Sequence, residues 1–202
     1  LELGGITVVE RSVAAARSVC AGVVVVVGAD VIGTSAAVIP GADEVVAGGP
    51  TRSASVRLGI AALPAAARVV LVHDAARPLA PVEVFRRVVA SIRSGAAAVV
   101  PVVPLVDTIR TVEGELIDRD RLVAVQTPQG FLRSALEAAH ATDADATDDA
   151  GLMELIGAEV VTVPGDPVNI KITTPSDLLV AAALLATGDA ATTEADAGDS
   201  SP

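Results

Sequence analysis

The sequence predicts an open α/β domain, a mostly parallel sheet with helices on both faces. Three observations predict it. Short apolar runs alternate with stretches of helical periodicity along most of the chain, the pattern of βαβ units. Several runs, such as 22–28 (GVVVVVG), lack a polar residue at every second position, as strands covered on both faces do. The 202 residues, 51% of them apolar, suffice for one well-buried core.

The elements follow in order. A helix is expected at 7–18, where Thr7 and Glu10 form a capping box ahead of Val8, Val9 and Val13. Strands are expected at 22–28 and 44–47, after which Gly48-Gly49 enters a helix. Strand 68–73 (RVVLVH) precedes a helix at 81–94. There Val82, Phe85, Val88, Val89 and Ile92 form one stripe, with Arg86, Arg87 and Arg93 outside it. Strand 96–103 (AAAVVPVV) leads into 104–123, a polar segment alternating weakly around Glu113-Gly114. That is a hairpin signal, and its length predicts a projecting β-arm. Strands at 158–163 and 169–173 precede a helix at 174–187, where Thr174 caps, Pro175 takes the first turn and Asp177 completes the box. Residues 188–202 (GDAATTEADAGDSSP) carry acids and no apolar periodicity, so a disordered acidic tail is expected after a domain of residues 1–187.

Composition narrows the function. A formal charge of -11 argues against a nucleic-acid partner. An anionic substrate must therefore meet a local cluster of cations and not the overall field. The single cysteine, Cys20, excludes an internal disulfide framework and suits a reducing, cytoplasmic setting. The apolar runs are too short to span a bilayer, and 178–186 (LLVAAALLA) reads as a buried helix face. Of the 14 Lys and Arg residues only Lys171 is a lysine. Either chance left it or its position requires a compact ammonium where a guanidinium fork would not fit.

Four clusters can carry chemistry. The turn Gly48-Gly49-Pro50-Thr51-Arg52-Ser53-Ala54-Ser55 leads into a helix N-terminus and suits an anion, though such turns are also common as plain structure. In Val72-His73-Asp74-Ala75-Ala76-Arg77-Pro78 a carboxylate stands at the end of a buried strand. Asp74 can hold Mg²⁺ together with phosphate oxygens, and Arg77 can meet a phosphate, or the two can simply pair. His73 is expected to pack beneath that site. In Gln126-Thr127-Pro128-Gln129-Gly130-Phe131, Thr127 can donate to a phosphate or satisfy backbone at a turn. The run Asn169-Ile170-Lys171-Ile172-Thr173-Thr174-Pro175 places the lone lysine just before a capped helix.

Together, in this order, GG..R..S, VLVHDAARP, the P-x-x-D-T arm, QTPQGF, TDDA and NIKITTP-x-DL resemble the 2-C-methyl-D-erythritol 4-phosphate cytidylyltransferases. The resemblance runs from Leu1 to about Ala186. It implies a Rossmann-like domain whose β-arm clasps a twin in a homodimer. It implies that CTP and the alcohol phosphate are joined with release of pyrophosphate, using Mg²⁺ held by Asp74. Lys171, Arg119 and Asp74 would act on the reacting phosphates, with Thr127 near them. Arg77, Thr108 and Arg119 would hold the alcohol phosphate, the arm residues reaching into the partner's site. Gly48, Gly49, Arg52, Ser55 and Ala75 would line the nucleotide. The family opens with a glycine-rich loop bearing an Arg and a Lys, whereas this chain starts at LELGGITVVERS. A truncated start and weak or absent turnover are therefore expected. Pro50 stands where many relatives carry Asp. Two rival readings stand beside it: a cytidylyltransferase for another alcohol phosphate, such as ribitol 5-phosphate, which shares the fold and most motifs, and a non-catalytic dimeric binding module.

Overall fold

The computed structural model describes residues 1–142 and 146–197, the part from Gly188 on by its backbone alone. The chain opens with a hairpin of β1 (Glu2–Leu3) and β2 (Ile6–Thr7), turning at Gly4-Gly5 with φ of 59° and 83°. Two successive positive values suit only glycine without strain. Then α1 (Val8–Arg17) starts on the capping box: Thr7 N donates to Glu10 Oε2 at 2.6 Å, and Glu10 N to Thr7 Oγ1 at 3.2 Å. Next come β3 (Val24–Val27), β4 (Glu44–Ala47), α2 (Arg52–Ala62), β5 (Val69–Val72), α3 (Val82–Arg93) and β6 (Ala98–Pro104). The arm carries β7 (Ile109–Arg110) and β8 (Leu116–Ile117), paired antiparallel around Gly114 at φ 95°. After it run β9 (Val123–Val125), β10 (Gln129–Leu132), α4 (Arg133–His140), α5 (Asp149–Leu155), β11 (Val160–Pro164) and α6 (Pro175–Ala197).

The main sheet has the order β11-β6-β10-β5, with β9 also paired to β6. Strand β11 runs parallel to β6, while β10 is antiparallel to both β6 and β5. Strands β5, β6 and β11 thus share one direction with β10 reversed among them, and β3 and β4 form a separate parallel pair. The unbroken apolar runs have their expected cause. Val69 and Leu71 pack toward Val88 and Ile92 of α3, while Val70 and Val72 pack with Ile60, Phe131, Leu136 and Met153 on the other face. Val84, Phe85 and Val88 of α3 are wholly buried, each stabilising the fold by roughly 1.5–3 kcal/mol relative to exposure. The helix lies so close that a Cβ on Gly130 would come within 2.3 Å of Val88 Cγ1.

One expected strand is absent. Residues 169–173 form no strand. Asn169 N bonds Asp166 O, and Thr173 N, with Thr174 N just beyond, bonds Asp177 Oδ2 in the cap of α6. Only Ile172 N reaches a neighbouring segment, donating to Ala76 O at 2.8 Å. Helical backbone of α6 also continues to Ala197, into the segment expected as a tail, and 198–202 lie outside the described residues. No described helix is long and apolar enough to cross a membrane.

Candidate active site

Register brings the first group of residues together. Strand β10 runs against β5 with Gln129 opposite Val72, so residues just before β10 meet those just after β5. Asp74 N donates to Thr127 Oγ1 at 3.0 Å. The same oxygen lies 3.0 Å from His73 Nδ1, and His73 Nε2 lies 3.3 Å from the Arg77 carbonyl. The loop after β11 is fastened to this spot by two buried amides. Gln126 donates to Asp166 O at 2.8 Å and accepts from Asp166 N at 3.0 Å. Asn169 donates to Thr127 O at 2.9 Å and to Gln126 Oε1 at 3.2 Å.

That fastening delivers Lys171, whose Nζ stands 2.9 Å from Asp74 Oδ2. Arg77 Nε lies 3.8 Å from the same oxygen. Its Nη1 donates to Asn169 O at 2.7 Å, so Arg77 braces the 74–77 loop against the 165–171 segment. Burial pulls the Arg77 pKa below its ordinary value, with Asp74 opposing. One carboxylate faces two cations here, the local positive excess that an acidic chain needs in order to hold a phosphate.

His73 sits against Phe85, with ring centroids 5.0 Å apart, and burial pushes its pKa down to about 4. It is therefore neutral in the folded state and titrates near 6.5 when unfolded. Between those values the unfolded chain binds more protons, so the stability is present above pH 6.5 and is lost as pH falls toward 4. The loss should reach about 3 kcal/mol. Urea midpoints at pH 7 and pH 4.5 should diverge more for the unsubstituted chain than for His73→Asn; equal shifts would refute the assignment.

The second group lies between β4 and α2. Val26, Val27, Gly28, Gly48, Gly49 and Ser55 line a cleft of about 450 Å³. A Cβ on Gly49 would come within 2.5 Å of Ala54, and one on Gly48 within 2.8 Å of Ser55 Oγ. Glycine is needed at both positions for the turn to pack against α2. Ser55 Oγ accepts from Gly49 N at 3.1 Å and donates to Thr51 O at 2.9 Å, which fixes the turn.

Residues 1–187 match the family model of 2-C-methyl-D-erythritol 4-phosphate cytidylyltransferase (IspD). The chain belongs to this family. It is 48% identical over 170 residues to the cytidylyltransferase of Nocardia farcinica, spanning 81% of this chain and 74% of that one. To the Rhodococcus opacus protein it is 45% identical over 196 residues, spanning 93% and 86%. The crystal structure of the Thermus thermophilus enzyme matches with a TM-score of 0.81 at 37% identity, covering 91% of each chain.

In this cytidylyltransferase family member the remaining residues fall into three places. Arg52 points away from the glycine turn, with Nη2 2.7 Å from Asp149 Oδ2. Ala75 lines a second hollow with Thr7, Glu10 and Ser35, and its carbonyl accepts from Ser12 Oγ at 2.8 Å. Thr108 and Arg119 stay on the arm: Arg119 Nη1 donates to Val106 O, and among the described residues no hydrogen bond joins either to Asp74, Arg77, Thr127 or Lys171.

Sequence reasoning missed Gln126 and Asn169, which build the lysine segment, and the trio Arg52–Asp149–His140, of which the last two are buried. His140 Nε2 lies 2.8 Å from Asp149 Oδ1. Burial raises the Asp149 pKa, but the His140 hydrogen bond and the Arg52 charge outweigh it, and the carboxyl sits below its ordinary value. The TDDA motif carried a signal for this. Asp148 caps α5 through Gly151 N at 2.9 Å, which leaves the adjacent acid to turn inward.

Proposed function

We propose that this chain transfers the cytidylyl group of CTP to 2-C-methyl-D-erythritol 4-phosphate, giving 4-diphosphocytidyl-2-C-methyl-D-erythritol and pyrophosphate in isoprenoid precursor synthesis. The observation that carries the reading is the Lys171–Asp74 pair at the end of β5, in a chain of this family. A phosphate oxygen of the alcohol attacks the α-phosphorus of CTP in line, and pyrophosphate leaves. No covalent nucleophile is required; the work is positioning and neutralising charge. Lys171 supplies a cation at the phosphates, and the cleft at Gly48-Gly49, with apolar Val26 and Val27 beside Ser55, suits a nucleoside.

Mg²⁺ is proposed with Asp74 as its protein ligand. The fit rests on the carboxylate itself: Lys171 and Arg77 both approach Oδ2, leaving Oδ1 available among the described contacts. The described residues hold no group of three ligating side chains. The ion's other donors would be phosphate oxygens and water, as Mg²⁺ prefers, and bound there it would neutralise phosphate charge. The half-buried Cys20 thiol fits a reducing, cytoplasmic location.

Pyrophosphate release from CTP should appear with 2-C-methyl-D-erythritol 4-phosphate and not with ribitol 5-phosphate, and should stop in Asp74→Asn. Release with the ribitol ester instead would transfer the reading to the rival substrate.

We also propose a homodimer through the arm, residues 104–123. Its apolar side chains are bare in one protomer: Val106 is 80%, Val112 99% and Leu116 60% exposed. A two-stranded arm gains little from water on both sides. Light scattering should give twice the chain mass, and the chain mass once 109–117 are replaced by a short Gly-Ser link. Equal masses for both would remove the proposal.

A further inference from the structure

We propose that His73 is a positioning residue for the transfer: its Nδ1 takes the Thr127 hydroxyl proton, so that Thr127 Oγ1 accepts the Asp74 N–H and holds the Asp74 carboxylate against Lys171. This rests on the reading of Asp74 as a substrate-facing carboxylate.

The partners in the array favour one direction for each hydrogen bond. The Arg77 carbonyl can only accept, so His73 Nε2, 3.3 Å away, carries the ring proton. Nδ1 is then the ring nitrogen left to accept. Thr127 has one hydroxyl proton and two neighbours, the Asp74 N–H at 3.0 Å and His73 Nδ1 at 3.0 Å. The N–H only donates, so the proton goes to His73 and the oxygen accepts from Asp74. With Thr127 only 6% exposed, its hydroxyl serves Asp74 and has no proton left for a phosphate. Phe85, wholly buried, backs the imidazole at 57°, and Asn169 Nδ2 holds the Thr127 carbonyl from the other side. The array therefore ties three segments, the ends of β5 and β11 and the approach to β10, to one backbone amide next to the carboxylate that Lys171 meets.

Two measurements test it. The chain has two histidines, and losing one set of signals in His73→Asn assigns the other. Long-range ¹⁵N–¹H spectra at pH 7 should show His73 protonated at Nε2 and bare at Nδ1; an Nδ1–H tautomer overturns the inference whatever the activity.

Kinetics form the second arm. The Asn oxygen stands near Nδ1 and can accept from Thr127, whereas Phe cannot. His73→Asn should keep kcat within about threefold, and His73→Phe should lose tenfold or more in kcat with KM for CTP little changed, since misplacing a reacting group by about 1 Å can cost about 10². Thr127→Val should lose as much as His73→Phe, and the double variant no more than either. Equal losses in Asn and Phe variants that track thermal stability, or additive losses in the double, would make His73 plain core. If His73→Phe is silent while Asp74→Asn is dead, the positioning role fails and the reading of Asp74 stands. An active Asp74→Asn removes both.

Discussion

Lys171→Arg should lower kcat/KM nearly as far as Lys171→Ala, by on the order of 10²-fold or more. The ammonium makes one contact, 2.9 Å to Asp74 Oδ2, and leaves the other carboxylate oxygen open to a metal. A guanidinium in its place presents a planar fork that engages both carboxylate oxygens at once. Charge is conserved by the substitution and the ligand is not. The position is also committed by its backbone, since Ile172 N is held on Ala76 O at 2.8 Å and the longer side chain cannot retreat along the chain. With the side chain 47% exposed, the pair itself adds little stability, so both variants should melt with the parent. Steady-state kinetics with CTP and the alcohol phosphate, with circular dichroism as the folding control, decide the matter. Parent kcat/KM in Lys171→Arg would return this lysine to a surface role.

How much of this was legible in the sequence depends on whether the deciding partner was local. The capping boxes at Thr7–Glu10 and Thr174–Asp177 were legible because both partners lie within one turn. The runs around Val25, Val70 and Val99 were legible as doubly covered strands because β-branched residues occupy both faces. Strand β10 was not. Gln129 and Gly130 are poor strand formers, and the strand exists because Gln129 is buried against Asp148, to which it donates at 2.6 Å, and because α3 leaves no room for a side chain at Gly130. The stretch 169–173 looked like a strand by composition, yet its donors go to a turn and a helix cap. In the site, His73, Asp74 and Arg77 share one short motif, and its strand-end position could be read directly. Arg52 could not be, because its carboxylate is 97 residues away, and a glycine turn followed by arginine suggests an anion site until that partner is seen.

Asp149→Ala should destabilise the fold by about 1–3 kcal/mol, the usual effect of leaving a buried donor without its acceptor. The Asp149 side chain is 0% exposed and that of His140 2%, so the imidazole Nε2 proton has no water to turn to when the carboxylate goes. Arg52, 40% exposed, can swing into solvent and recover its hydration, and the penalty falls on the histidine. Asp149→Asn should cost less: its oxygen can accept from one partner while its amide faces the other donor to donor. The Arg17–Asp43 pair makes a control, since those side chains are 37% and 47% exposed, and breaking it in Asp43→Ala should cost far less than the change at Asp149. A functional consequence follows from where Arg52 sits, in the first turn of α2 beside the Gly48-Gly49 cleft. Freed from Asp149, that turn loses its tie to α5 and keeps only the Ser53 Oγ–His140 Nδ1 contact at 3.3 Å to α4, and KM for CTP should rise while KM for the alcohol phosphate holds. Urea unfolding and the two KM values test this together. A loss at Asp149 no larger than at Asp43 would show that burial does not set the strength of this trio.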